Sequence, residues 1–175
     1  GELLNALKII DQGHIQVDTM NGSWAGAMGQ CQFMPTSFIN YAIDFNGDGK
    51  KDIWNTVPDV LASAANYLSS VGWNDSQTWG REVSVSKSID ENLITISARN
   101  VEINKSLIEW SKLGVHNNDG TPLPNIDIKA YLVYPEGVNG RKFIVYENFK
   151  TILNWNRSLF FGIAVGTLSD LIEYY

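Results

Sequence analysis

Residues 22–38 read Gly22-Ser23-Trp24-Ala25-Gly26-Ala27-Met28-Gly29-Gln30-Cys31-Gln32-Phe33-Met34-Pro35-Thr36-Ser37-Phe38, and no other stretch of the chain is as unusual. Glycines spaced by four and then three let two stretches of backbone approach closely. Ser23, Gln30 and Gln32 offer uncharged hydrogen-bonding groups beside Trp24, Phe33 and Met34. That mixture suits a neutral, polyhydroxylated ligand. It does not suit phosphate, because the Lys-Ser/Thr ending of a phosphate loop is absent. By composition alone, tight packing of these glycines against a neighbouring helix is the stronger reading and a binding site the weaker one.

Outward from this segment, Glu2 to Asp11 reads as a helix with Leu3, Leu4, Leu7 and Ile10 on one face, closed by Gly13. Pro35 suits the first turn of a short helix that points Phe38, Ile39 and Ala42 inward. Pro58 opens a longer helix to about Ser70, with Val60, Leu61, Ala64, Tyr67, Leu68 and Val71 at helical spacing. Ser106 to Leu113 reads as a helix closed by Gly114, and strands are expected at 82–85, 128–134 and 142–146. A helix over 148–154 precedes a last one from Ser158 to Tyr174. Its expected buried stripe is Phe160, Ile163, Ala164, Thr167, Leu168, Leu171 and Ile172.

The 175 residues carry 13 basic and 19 acidic side chains, a net charge of −6, so no basic footprint for nucleic acid is present. No run approaches the roughly 20 apolar residues of a membrane span. Cys31 is the lone cysteine, which excludes an internal disulfide, and reads as a small buried hydrophobe. His14 and His116 lack metal-ligand spacing. No organic cofactor is expected.

Asp44-Phe45-Asn46-Gly47-Asp48-Gly49-Lys50-Lys51-Asp52 begins like an EF-hand loop. Oxygen side chains stand at positions one, three and five, glycine at six, and the Lys50 carbonyl at seven. Asn55 occupies the twelfth position, where a bidentate glutamate belongs. Asp59 could close the sphere in a lengthened loop. The donor set is then Asp44, Asn46, Asp48, Lys50 and Asp59, around a structural calcium ion. The alternative is an ion-free turn held by side-chain-to-backbone hydrogen bonds. Lys50 and Lys51 argue for weak affinity.

The 22–38 segment, the 44–49 loop, Asp52-Ile53-Trp54 and Ala62-Ser63-Ala64-Ala65-Asn66-Tyr67 together resemble the membrane-bound lytic murein transglycosylase B family. The resemblance continues at Trp73, Trp79-Gly80, Leu107-Ile108-Glu109-Trp110, Leu113-Gly114-Val115, Asn148-Phe149, Trp155-Asn156-Arg157-Ser158 and Ala164-Val165. It implies an α+β, mostly α fold: a goose-type lysozyme-like lobe with an EF-hand-like loop and a small β insert. The expected division is 1–81 for a partial catalytic domain with the loop at 44–59, 82–146 for the insert, and 147–175 for helices packing back on the catalytic domain.

The resemblance also implies a chemistry. Such enzymes cleave the β-1,4 bond between N-acetylmuramic acid and N-acetylglucosamine in peptidoglycan. The muramyl C6 hydroxyl attacks and leaves a 1,6-anhydro end. One glutamate acts first as acid and then as base, which a partly apolar site allows by raising its pKa. In the family that glutamate lies upstream of the glycine-rich segment in a Glu-Thr/Ser-x-x-Gly context. None of Glu2, Glu82, Glu91, Glu102, Glu109, Glu136, Glu147 and Glu173 matches it, so no catalytic residue is assigned.

Sugar contacts carry over to Ser23, Gln32, Phe33, Met34, Tyr67 and Trp155. The expected partners are peptidoglycan strands and an N-terminal segment of the same protein. Without that segment, an exposed apolar face, disorder near residues 1–20 or self-association is expected. The resemblance places the protein in the bacterial periplasm, anchored at the outer membrane through an upstream lipid attachment.

Overall fold

The computed structural model describes residues 1–173 and divides into two compact units, Gly1–Val71 and Gly72–Tyr175. Tyr174, the expected end of the last helix, lies outside the described residues. The division falls at Val71–Gly72 rather than after residue 81.

The first unit holds three helices, α1 (Glu2–Asp11), α2 (Pro35–Tyr41) and α3 (Val57–Ser70). α1 packs on α2, and α2 on α3. The core gathers Ile9, Ile15, Met28, Cys31, Phe33, Phe38, Ala42 and Ile53. Around Phe38 the rings of His14 and Trp54 lie at centroid distances of 5.5 and 5.6 Å.

Two expected stripes in this unit are corrected. On α1, Leu3, Leu4 and Leu7 are exposed and Ile9 is buried. Polar bonds attach this helix instead. Asn5 donates to the Thr36 hydroxyl at 2.8 Å, and Glu2 accepts from the Thr36 backbone N–H and hydroxyl at 2.8 and 2.9 Å. On α3 the fully buried residues are Asp59 and Ser63, four apart, while Leu61 is exposed. Periodicity finds the helix but misreads which face is covered, because the covered face carries hydrogen bonds.

The second unit contains a five-stranded antiparallel sheet. Its strands are β1 (Gly80–Val85), β2 (Lys105–Ser106), β3 (Val115–Asn117), β4 (Lys129–Val133) and β5 (Lys142–Val145), in the order β2-β4-β5-β1-β3. Three helices join it: α4 (Leu107–Lys112), α5 (Glu147–Trp155) and α6 (Leu159–Glu173). Ser106 and Glu109 form a reciprocal cap at the start of α4. β2 and β3, absent from the expected strands, are two and three residues long, too short for a period-two pattern to register.

Alternation along the strands separates two cores. Tyr131, Val133, Phe143 and Val145 face Trp79 and the helical residues Phe149, Ile152, Leu153, Leu159 and Ile163. Ala130, Leu132 and Ile144 face Leu107, Trp110, Ile89 and Leu123. Helices α5 and α6 therefore share their core with the sheet.

The α6 stripe is also corrected. Leu159, Gly162, Ile163 and Gly166 are buried, whereas Phe160, Ala164, Leu168, Leu171 and Ile172 are exposed. Bare glycines carry the inner face. A Cβ at Gly162 would lie 2.6 Å from the Phe149 ring, and one at Gly166 would overlap the indole of Trp79. That indole donates to Asp170 at 3.0 Å. Asn148, fully buried, donates to the carbonyls of Asn74 and Gln77 and accepts from the Asn74 N–H, satisfying its amide.

Candidate functional site

The glycine-rich segment folds into a tight bridged loop. Gly22 pairs with Met28, and Met28 with Phe33. Ser23 Oγ accepts the Ala27 N–H at 3.1 Å, and Gln30 N–H donates to the Ile53 carbonyl at 2.8 Å. Gly29 is required twice. Its φ is +63°, and a Cβ there would lie 2.6 Å from the Ile53 carbonyl oxygen.

Gln32 has φ +50°, the one non-glycine residue among those described with positive φ. A side chain in this region costs of order 1 kcal/mol, and such strain collects at ligand sites. The Gln32 amide donates to the Gly29 carbonyl at 2.9 Å, and the residue remains exposed.

Ser23, Gln32, Phe33 and Met34 thus share one loop. Ser23 lines a hollow of about 320 Å³ with Glu2, Leu3, Ala6, Met28 and Pro35. Phe33 is buried and lies 5.7 Å from the Tyr67 ring, which also meets Tyr41 edge-on at 5.0 Å. Burial, then the neighbouring Tyr41, pushes the Tyr67 phenol above its ordinary pKa, so it stays a neutral donor. Met34 caps the start of α2, half-buried. Trp155 ends α5, half-buried in the second unit, while the other five candidates lie in the first.

Sequence reasoning noted Trp24 but not its exposure, and missed the places of Tyr41 and Glu2. Trp24 is fully exposed at 101%. Tyr41 reaches Tyr67, and Glu2 lines the hollow. Both Glu2 oxygens are engaged by Thr36, which makes Glu2 a cap for α2 rather than a free carboxylate. Gln30, grouped by composition with the ligand-facing amides, donates instead to the Trp54 carbonyl at 2.9 Å. Cys31 is buried, its Sγ 3.4 Å from the Val60 carbonyl. Burial pushes its pKa up to about 11, which keeps the thiol protonated and unreactive.

The 44–52 loop is held from within. Asp44 accepts the N–H groups of Gly47, Asp48 and Gly49, Asn46 Oδ1 accepts Asp48 N–H, and Asp48 accepts Lys50 N–H. Asp59, 0% exposed, accepts the N–H groups of Phe45 at 3.0 Å and Asp52 at 2.9 Å. Ser63 Oγ accepts the Ile43 N–H at 2.9 Å.

Asp59 thereby bridges the two ends of the loop, each of its oxygens keeping a further lone pair. Among the described residues no three His, Cys, Asp or Glu side chains converge on one point. Asp44, Asn46, Asp48 and the Lys50 carbonyl still supply hard oxygen donors at the expected spacing. Burial opposes ionisation of Asp52. The N–H groups of Asn55 and Trp54, with the Asn55 and Thr56 side chains, outweigh it and hold the carboxyl below its ordinary range.

The transglycosylase SLT domain family matches residues 1–170. The chain belongs to that family. It is 31% identical over 159 residues to the membrane-bound lytic murein transglycosylase B of Escherichia coli K12, covering 90% of this chain and 41% of that protein. The structure of SltB3 from Pseudomonas aeruginosa in complex with NAG-anhNAM-pentapeptide superposes with a TM-score of 0.89. It is 45% identical and covers 98% of this chain and 45% of that one. The Escherichia coli lytic transglycosylase Slt35 in complex with calcium matches with a TM-score of 0.78 at 27% identity, over 99% of this chain and 53% of that one. The chain thus spans about half the length of these SLT-domain relatives or less, and its helix-and-strand architecture is that of solved lytic transglycosylases. No helix among the described residues is long and apolar enough to cross a membrane.

Proposed function

We propose that this chain supplies the glycan-contact wall of a peptidoglycan lytic transglycosylase that forms 1,6-anhydro-muramyl ends. The observation that carries the reading is Gln32, kept in a left-handed backbone conformation on the exposed loop that also bears Ser23 and Met34. A neutral sugar polymer is recognised by uncharged donors and by apolar rings against its C–H faces. Ser23 and Gln32 are the donors, and Met34, Tyr67 and Trp155 are the apolar surfaces, while Phe33, expected among them, is buried and backs Tyr67 from the core. Leaving-group protonation requires a carboxyl poised near neutrality. No glutamate of this chain takes that role, since Glu2 is committed to Thr36.

The first unit is read as a goose-type lysozyme-like lobe with an EF-hand-like loop. Calcium at Asp44, Asn46, Asp48, the Lys50 carbonyl and Asp59 would supply fixed positive charge and pin the loop, whose two ends Asp59 also bridges. Titrated calcium should raise Tm with the logarithm of its concentration, the signature of an ion that binds only the folded chain. The envelope location follows the membrane-bound relative, with the periplasm as compartment and a lipid anchor upstream as the attachment.

The test is sedimentation with purified peptidoglycan followed by mass spectrometry of the soluble products. The chain should co-sediment, Ser23→Ala and Gln32→Ala should weaken binding, and no anhydro-muropeptides should appear. Failure to sediment would contradict the wall. Anhydro products would contradict the absence of an acid/base from this chain.

A further inference from the structure

A hollow of about 230 Å³ lies in the sheet unit, between the segment that follows β1 and the turn that joins β4 to β5. Val85, Ile89 and Ile94 wall it, and Val138, 58% exposed in the turn, completes the apolar lining. Tyr134, just past β4, also lines it, although the residue is only 4% exposed. The hollow shares no residue with the glycan wall or the calcium loop.

A buried phenol ordinarily finds a partner for its O–H. Tyr131, equally buried on β4, bonds to Glu147. Among the described residues the Tyr134 hydroxyl has no hydrogen-bond partner, and it is not sealed in as the unpartnered Gln77 Oε1 and Arg81 Nε are. The opening it keeps is this hollow. Burial pushes the Tyr134 pKa above its ordinary value, so the phenol stays a neutral donor.

A cation stands beside it. Lys142 Nζ lies 5.3 Å from the centroid of the Tyr134 ring and donates to the Gly140 carbonyl at 3.1 Å, which leaves two of its three N–H groups for a ligand. Lys87 lines the hollow as well, and among the described residues it joins neither ion pair, Arg141 with Glu82 or Lys150 with Glu147. Glu91 is the one acid of the lining. Two lysines against one glutamate leave a single positive charge in excess, which matches a monoanion better than a phosphate dianion. The volume lies below the roughly 300–1,000 Å³ of pockets for drug-sized ligands, so the occupant is small.

We infer that this hollow binds a small monocarboxylic acid with a compact, branched apolar body. Val85, Ile89, Ile94 and Val138 take the apolar body. The Tyr134 hydroxyl and the Lys142 ammonium donate to the carboxylate, and Lys87 adds charge at the rim.

Nuclear magnetic resonance titration of the full 175-residue chain with isovalerate tests it. Saturating shifts are expected at the Tyr134 ring and at the Ile94 and Val138 methyls. Isovaleramide should bind about tenfold more weakly, since a charge-assisted pair is lost. Tyr134→Phe should weaken isovalerate binding about fivefold, and Lys142→Met by a similar factor. The Tyr134 hydroxyl bonds to no other group of the chain, so the melting curve of Tyr134→Phe should overlay that of the parent. Lys87→Met, at an exposed position, should keep the fold and weaken binding about twofold. The inference is overturned if no signal saturates, if acid and amide bind equally, or if Tyr134→Phe binds isovalerate normally. Displacement by inorganic phosphate at equal concentration would overturn it in favour of a general anion site. Affinity that climbs steadily from isovalerate to octanoate would overturn it in favour of a lipid-facing surface.

Discussion

Two loops of the first unit, 22–34 and 44–52, are both rich in glycine and both irregular, yet main chain and side chain share the work of holding them in different proportions. The first is fixed chiefly by main-chain bridges and by contact with Ile53, and its exposed Ser23 and Gln32 each add one side-chain bond to the loop's own backbone. The second is fixed by its own side chains. Asp44, Asn46, Asp48 and Asp59 turn inward and accept backbone N–H groups. Ser23 and Gln32 each make one bond to their own loop and stay exposed, which leaves hydrogen-bonding capacity for a ligand. The oxygens of the second loop hold its backbone and keep lone pairs that suit a cation.

Substitutions that attack each loop by its own mechanism sharpen that contrast. Asp59→Ala should have the largest effect, about 4 kcal/mol lost in urea unfolding, because two part-buried N–H groups lose their acceptor and a cavity is left at a fully buried side chain. A milder loss would mean that water replaces the carboxylate.

Gly29→Ala should cost about 3 kcal/mol, from left-handed backbone and overlap with the Ile53 carbonyl together. Gly47→Ala, at φ +75° in open space, should cost only about 1 kcal/mol from the backbone alone. Equal costs would break the distinction between the two loops.

Gln32→Gly should go the other way. It relieves the strained φ and stabilises by about 1 kcal/mol, while glycan binding falls. A variant both less stable and fully able to bind would count against strain held for function.

Acidification gives the smallest effect. Burial first, then Lys51, lowers the His14 pKa, with Asp44 opposing, and His14 Nδ1 accepts the Lys51 N–H at 3.2 Å. The unfolded imidazole therefore binds protons more readily than the folded one. His14 stabilises fully above about 6.5, the ordinary imidazole value, and that part of the stability is lost as pH falls from there through the lowered folded pKa. Urea midpoints for the parent and His14→Phe should diverge most above pH 7 if the Lys51 contact matters.

Much of this architecture was legible because it rests on local rules. Pro35 and Pro58 in opening turns, Gly114 closing the helix that starts near Ser106, and the apolar runs at 128–134 and 142–146 gave helices and strands close to those found. Burial was legible only where apolar contact decides it. On α3 the covered face is Asp59 and Ser63, and no hydrophobic pattern announces a face chosen for its hydrogen bonds. On α6 the covered face is Gly162 and Gly166, whose closeness to Phe149 and Trp79 depends on long-range packing.

The candidate site was legible as a cluster through the specific 22–38 string. The strained φ of Gln32 and the commitment of Glu2 to Thr36 depend on atoms brought together by folding.

The central claim is that Ser23, Gln32, Met34 and Tyr67 form one sugar-contact wall. The most direct measurement is a nuclear magnetic resonance titration of the chain with chitotetraose, following the Gln32 side-chain amide and the Met34 methyl. The account predicts saturating shifts at Ser23, Gln32, Met34 and Tyr67 together, abolished by Gln32→Ala. Saturation that leaves these four signals in place, or moves them without regard to Gln32, would contradict it.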